Sequence, residues 1–210
     1  MPKEMGVFET IYNTRAMRRL ESTEVPEELL IKLIDAANQA PSGSNRQAAR
    51  WIIVRDQEQK NRLAELNRKS VEMYVSASSA RPAALPHQSA EKRQNQLKAV
   101  VWQAEHMHEV PALIIACMQF DAPVKRSEAA RGGGSIWPGI QNLLLAARAL
   151  GLGAAPTTLA LVDRDNAKQV LNLPEDMEAF ALIPVGYPKG KFGPVTRIPV
   201  NEILRWDRWN

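Results

Sequence analysis

Residues 136–150 constrain this chain more than any other stretch. Ile136, Ile140, Leu143, Leu144 and Ala147 recur at helical spacing and mark one face. Trp137, Leu145, Ala146 and Ala149 make the other faces apolar as well. A helix that is apolar nearly all round must be covered on several sides. Two arrangements supply that cover: the helix is the central core helix of a monomer, or a second subunit packs on it. The chain has 210 residues, enough for one substantial domain, which we take as residues 1–210. In so small a chain a second copy is a natural source of cover. Gly151 and Gly153 end the helix.

The rest of the pattern is mixed. A short N-terminal helix carries Val7, Phe8, Ile11 and Tyr12, and a basic cluster of Arg15, Arg18 and Arg19 follows it. Pro26 with Glu27 and Glu28 marks a helix start, proline in the first turn and acids favoured by the helix dipole. Leu29, Leu30, Leu33, Ile34 and Ala37 form its apolar stripe. Turn residues make 40–45 a loop, and Trp51–Val54 is a short strand. Helices are predicted over about 57–79, 88–109 and 164–172. Strand-like stretches fall at 154–158 and 178–186, and the clearest buried strand lies between Pro111 and Phe120. The tail from Gly190 has little periodicity but holds Trp206 and Trp209, which suggests that it docks. The fold class is α+β, one sheet flanked by helices.

Composition narrows the function. The net charge of +4 comes from Lys and Arg spread along the chain, which is a solvated surface and not a nucleic-acid footprint. Apolar runs stay short of the roughly 18 residues that span a bilayer, and the N-terminus lacks an apolar signal core. Cys117, the single cysteine, sits in an apolar run and reads as a buried thiol; a chain without internal disulfides suits a reducing cytoplasm.

Several familiar motifs fail on context. Gly132-Gly133-Gly134-Ser135 lacks a P-loop ending. The glycines at 151 and 153 follow a helix instead of a strand, against a Rossmann turn. Ser89-Ala90-Glu91-Lys92 has the serine β-lactamase spacing without its companion motifs. His106 and His108 lie on different helical faces and His87 stands alone, so a metal site is poorly supported. An organic cofactor is the better carrier of any chemistry.

Three separated stretches resemble the nitroreductase family. The first is Thr14-Arg15-Ala16-Met17-Arg18-Arg19 followed by Val25-Pro26-Glu27-Glu28-Leu29. The second is Ala40-Pro41-Ser42-Gly43-Ser44-Asn45-Arg46-Gln47. The third runs from Gln141-Asn142-Leu143 through Gly151-Leu152-Gly153 to Pro156-Thr157-Thr158-Leu159. Gly186-Tyr187-Pro188 and Gly193-Pro194-Val195-Thr196-Arg197 also fit.

The resemblance implies an intertwined homodimer on a nitroreductase-like fold, with a mostly antiparallel central sheet and FMN bound where the subunits meet. By that pattern Arg15 and Arg197 hold the FMN phosphate, a dianion suited to planar guanidinium forks. Arg19 reaches the ribityl chain or the pyrimidine edge. Ala16 and Met17 contribute backbone contacts. Pro41, Ser42, Gly43 and Asn45 form a flavin loop without bulk, and Pro156, Thr157, Thr158 and Leu159 lie along the ring. A backbone N–H near Thr158 or Leu159 would point at flavin N5. As ordinary structure, the same residues are solvated charges, a turn and a strand end, with Arg18 on the surface. The implied chemistry is a hydride from NADPH or NADH to the flavin, then two electrons to a flat electrophile such as a nitroaromatic or quinone. No catalytic side chain is required. Residues 66–110 would cover the flavin, with Tyr74, Trp102, His106 and Met107 as candidate lining. A flavin-fragmenting or reductive dehalogenase activity, or FMN binding without catalysis, are the alternatives.

Overall fold

The buried run between Pro111 and Phe120 is the centre of a four-stranded antiparallel sheet. The structure, a computed structural model, describes residues 5–79, 89–123 and 133–209. Its strands are β1 (Ala49–Val54), β2 (Ala112–Gln119), β3 (Gly153–Ala154) and β4 (Met177–Gly186), in the order β1-β2-β4-β3. Strand β2 pairs with β1 on one side and β4 on the other. Its side chains alternate between two cores. Ile114, Ala116 and Met118 join one cluster, while Leu113, Ile115 and Cys117 join the other. Helices cover both faces, which is why this strand reads as one continuous apolar run.

Helices α2 (Glu27–Asn38) and α5 (Ile136–Ala149) cover the first face with Leu30, Leu33, Ile140 and Leu143. Helices α3 (Gln57–Ser79) and α6 (Arg164–Leu171) cover the second with Leu63, Ala64 and Val170. Helices α1 (Val7–Asn13), α4 (Ala90–His106) and α7 (Val200–Ile203) complete the described elements. Pro26 turns out to cap α2 from outside its first turn. The Ser89–Lys92 spacing is a helix cap, since Ser89 Oγ accepts the Lys92 N–H at 3.2 Å. Helix α4 ends at His106 and continues to Glu109 as a tighter 3₁₀ turn. Arg81-Pro82, Leu85-Pro86, His87 and Gly132 lie outside the described residues.

Two expectations change. The strand-like stretch 154–158 is a strand only at Gly153–Ala154. Pro156 has no N–H to give a ladder, so pairing resumes only as an isolated bridge between Thr157 and Leu182. Second, α5 is covered on one side only. Ile136, Gly139, Ile140, Leu143 and Ala147 are buried, whereas Trp137 is 43% exposed and Leu144 and Leu145 are half-buried. Within one chain the aromatic tail is also bare, with Trp206 at 81% and Trp209 at 75% exposure.

Cys117 is fully buried, and desolvation pushes its thiol up to about 12, so it stays a neutral core residue. Glu178 is buried too. Desolvation opposes its ionisation, but hydrogen bonds from Arg164 (Nε to Oε2, 2.7 Å) and Lys168 (Nζ to Oε1, 3.0 Å) win and lower its pKa. A carboxylate with a depressed folded-state pKa contributes stability above its unfolded pKa and loses it as pH falls through the folded value. We therefore expect stability to drop through and below the ordinary glutamate range, and Glu178→Gln to flatten that part of a thermal-melt pH series. Among the described residues no helix is long and apolar enough to cross a membrane, and no cluster of His, Cys, Asp or Glu could hold a metal ion.

Candidate functional site

The chain after α1 is pinned to the sheet edge. Thr14 Oγ1 closes the helix end by donating to Thr10 O at 2.6 Å, which turns Arg15 outward. Two residues on, Met17 N–H donates to Ala154 O at 3.0 Å. Met17 and Leu20 then press against Gly153. A Cβ there would stand 2.9 Å from Met17 Cβ and 2.7 Å from Leu20 Cδ2, so only glycine permits this approach. From the other end of the chain, residues 192–197 return across the same region, held by Val195 N–H on Tyr12 O at 3.2 Å.

Between these segments and the outer face of α5 lies a cleft of about 440 Å³, within the usual range for a small-molecule site. Arg15, Ala16, Arg148, Pro156, Phe192 and Arg197 all line it. Among the described residues its lining includes three guanidiniums and no carboxylate. Arg197 Nη1 donates to the neighbouring Thr196 O, at 2.9 Å. The Arg148 guanidinium lies over the Phe192 ring, 4.2 Å from its centroid, and its Nε is buried with no hydrogen-bond partner. A dianionic group fits this donor set, which holds positive charge and an orphaned N–H with nothing to neutralise them.

A second cavity of about 370 Å³ opens between the C-terminal end of α2, the 42–49 turn, the end of β2 and the start of α5. Ser42 and Gly43 line it. Gly43 N–H donates to Ser135 Oγ at 3.2 Å, and Gln47 N–H to Ser42 Oγ at 3.1 Å. Ser44, Asn45 and Gln47 all have φ near +50°, an uncommon conformation for residues with a Cβ. Strain concentrated in one turn is a mark of function. Arg46 pairs with Asp121 across the rim.

One chain thus brings Arg15, Ala16, Pro156 and Arg197 into a common cleft and sets Ser42 and Gly43 at a different one. Arg19, Pro41, Asn45, Thr157, Thr158 and Leu159 line neither, and Met17 is buried beneath the first. Arg18, read as a surface residue, is half-buried; desolvation lowers its pKa and Tyr74 opposes the shift. Of the candidate covering residues, Met107 belongs to the core, and Trp102 stacks on His106 with centroids 4.0 Å apart. Arg148 escaped the reading of the sequence. Its signal was present as the one charge in a mostly apolar helix.

An antiparallel sheet between helical layers, with an arginine-lined cleft at its edge, defines an α+β protein whose cleft fits an anionic small molecule. The pattern of the nitroreductase family matches residues 11–187. The chain belongs to the nitroreductase family of flavin oxidoreductases. It is 28% identical to the iodotyrosine deiodinase of Thermotoga neapolitana over 94% of this chain and 95% of that one. It is 27% identical to the NADH dehydrogenase of Thermus thermophilus, covering 91% of each. Among solved structures, oxidized iodotyrosine deiodinase bound to FMN and 3-iodo-L-tyrosine superposes with a TM-score of 0.74 at 25% identity, over 97% of this chain and 100% of that one.

Proposed function

We propose that residues 1–210 form a single FMN-binding domain that works as a homodimeric oxidoreductase. It passes a hydride from NADPH or NADH to a planar electrophile such as a nitroaromatic or a quinone. The observation that carries this reading is the convergence of Arg15 and Arg197, from opposite ends of the chain, on one cleft without a carboxylate. Their guanidiniums hold the phosphate, and Arg19 reaches the ribityl chain or pyrimidine edge, where a cation favours the reduced ring. Ala16 and Pro156 line the space beside them. Met17 N–H is engaged by Ala154 O, so Met17 acts by fixing the segment. Leu159 N–H is likewise taken by Thr157 Oγ1 at 3.1 Å, so of the two it is the Thr158 N–H that would be offered to flavin N5.

Ser42 and Gly43 line a separate cavity of the same chain, and we assign them, with Pro41 and Asn45 of the same loop, to the flavin of a second copy. Support comes from the uncovered apolar groups of one chain, among them Phe8, Trp137, Trp206 and Trp209. FMN held in this way supplies hydride acceptance at N5 and two-electron return. The protein supplies position, charge and exclusion of water.

The purified protein should be yellow, bleach on adding NADPH or NADH, and recover its colour with a quinone. A colourless protein that FMN cannot reconstitute would overturn the reading, and a yellow protein without steady NAD(P)H oxidation would reduce it to an FMN store. Similarity to iodotyrosine deiodinases along nearly the whole chain favours one second reading. There an aryl carbon–iodine bond takes two electrons and a proton and releases iodide. Iodide release from 3-iodotyrosine under reducing conditions separates the two.

A further inference from the structure

Gln141, Leu144 and Arg148 lie three and four positions apart on α5 and turn one stripe of that helix toward the cleft. This stripe lies about 100° round the helix from the one that Ile140, Leu143 and Ala147 bury. Arg148 stands in the last turn, where any cation gains from the helix dipole. That gain needs only an exposed charge near the carboxyl end. It does not account for a guanidinium laid over the Phe192 ring with its Nε withdrawn from water and unpartnered. The same residue lines the cleft beside Arg15 and Arg197, so its charge would be answered by an anion that the cleft takes in. Phe192 sits in the segment that carries Arg197, so the stacking also ties that segment to α5.

We propose that Arg148 is a third anion-binding residue of the cleft, its guanidinium offering charge and planar N–H donors to the ligand's phosphate while Phe192 fixes its plane. The inference rests on the FMN reading above and adds a contact to it. The test is flavin-fluorescence titration of the full-length, flavin-stripped chain with FMN and, separately, with riboflavin, which lacks the phosphate. Arg148→Gln should weaken FMN binding roughly 10- to 100-fold, the worth of one charged hydrogen bond, and leave riboflavin binding unchanged. Arg148→Lys keeps the charge but lacks the planar fork, and should recover only part of the loss. Unchanged FMN affinity in Arg148→Gln, or equal losses for FMN and riboflavin, overturns the assignment of Arg148 while the functional reading stands. Full recovery in Arg148→Lys overturns the proposal, which needs the planar donors of a guanidinium. Should Arg148→Gln fail to fold, the lysine variant still decides, since wild-type affinity there refutes the proposal. Wild-type protein that takes up no FMN refutes the functional reading itself.

Discussion

FMN affinity falls by roughly two to four orders of magnitude in the double variant Arg15→Ala/Arg197→Ala. Each guanidinium contributes a charged hydrogen bond to one phosphate, worth about 1.5–3 kcal/mol singly. The two share a partner, so their effects combine without strict additivity, and the sum is an upper range. Both side chains are exposed in the flavin-free chain. The unliganded variant should therefore melt within about 0.5 kcal/mol of the parent. Riboflavin binding, which needs no phosphate grip, should move little. A double variant that retains parental FMN affinity would remove both arginines from the site and the functional reading with them.

Leu143→Ala loses about 2–5 kcal/mol of stability, the cost of a large core side chain plus the cavity it leaves. Leu143 is fully buried in the cluster shared by α2, α5 and β2. The urea midpoint should shift downward at unchanged slope, because the surface exposed on unfolding is nearly the same. Leu144, its neighbour on the cleft side, is only half-buried. Leu144→Ala should cost much less in the flavin-free chain. Equal losses at the two positions would contradict the burial of α5 on a single side.

Much of this architecture was legible because local chemistry and tertiary burial agree. Helix α3 runs over residues 57–79 as its pattern predicts, and β2 falls inside the apolar run that two helical layers require. Where the two diverge, the sequence misleads. Pro156 sits in an apolar stretch that suggests a strand, yet its missing N–H stops the ladder. Arg18 stands among charges that suggest solvent, yet the fold half-buries it beside Tyr74. Contacts across the chain leave no period to detect. The cleft was readable only at its ends: Arg15 and Arg197 announce an anion through charge and context. Arg148 is hidden because its role depends on Phe192, far along the chain. The 41–45 loop was legible as a turn, but its distance from the arginine cleft within one chain was not.

A cleft with three cations and, among the described residues, no carboxylate in its lining is under mutual repulsion until an anion arrives. Inorganic phosphate or sulfate in a buffer would relieve the same repulsion and compete for the same donors. The colour of a preparation would then record the salts it has met, and dialysis against phosphate becomes a gentle way to strip the protein.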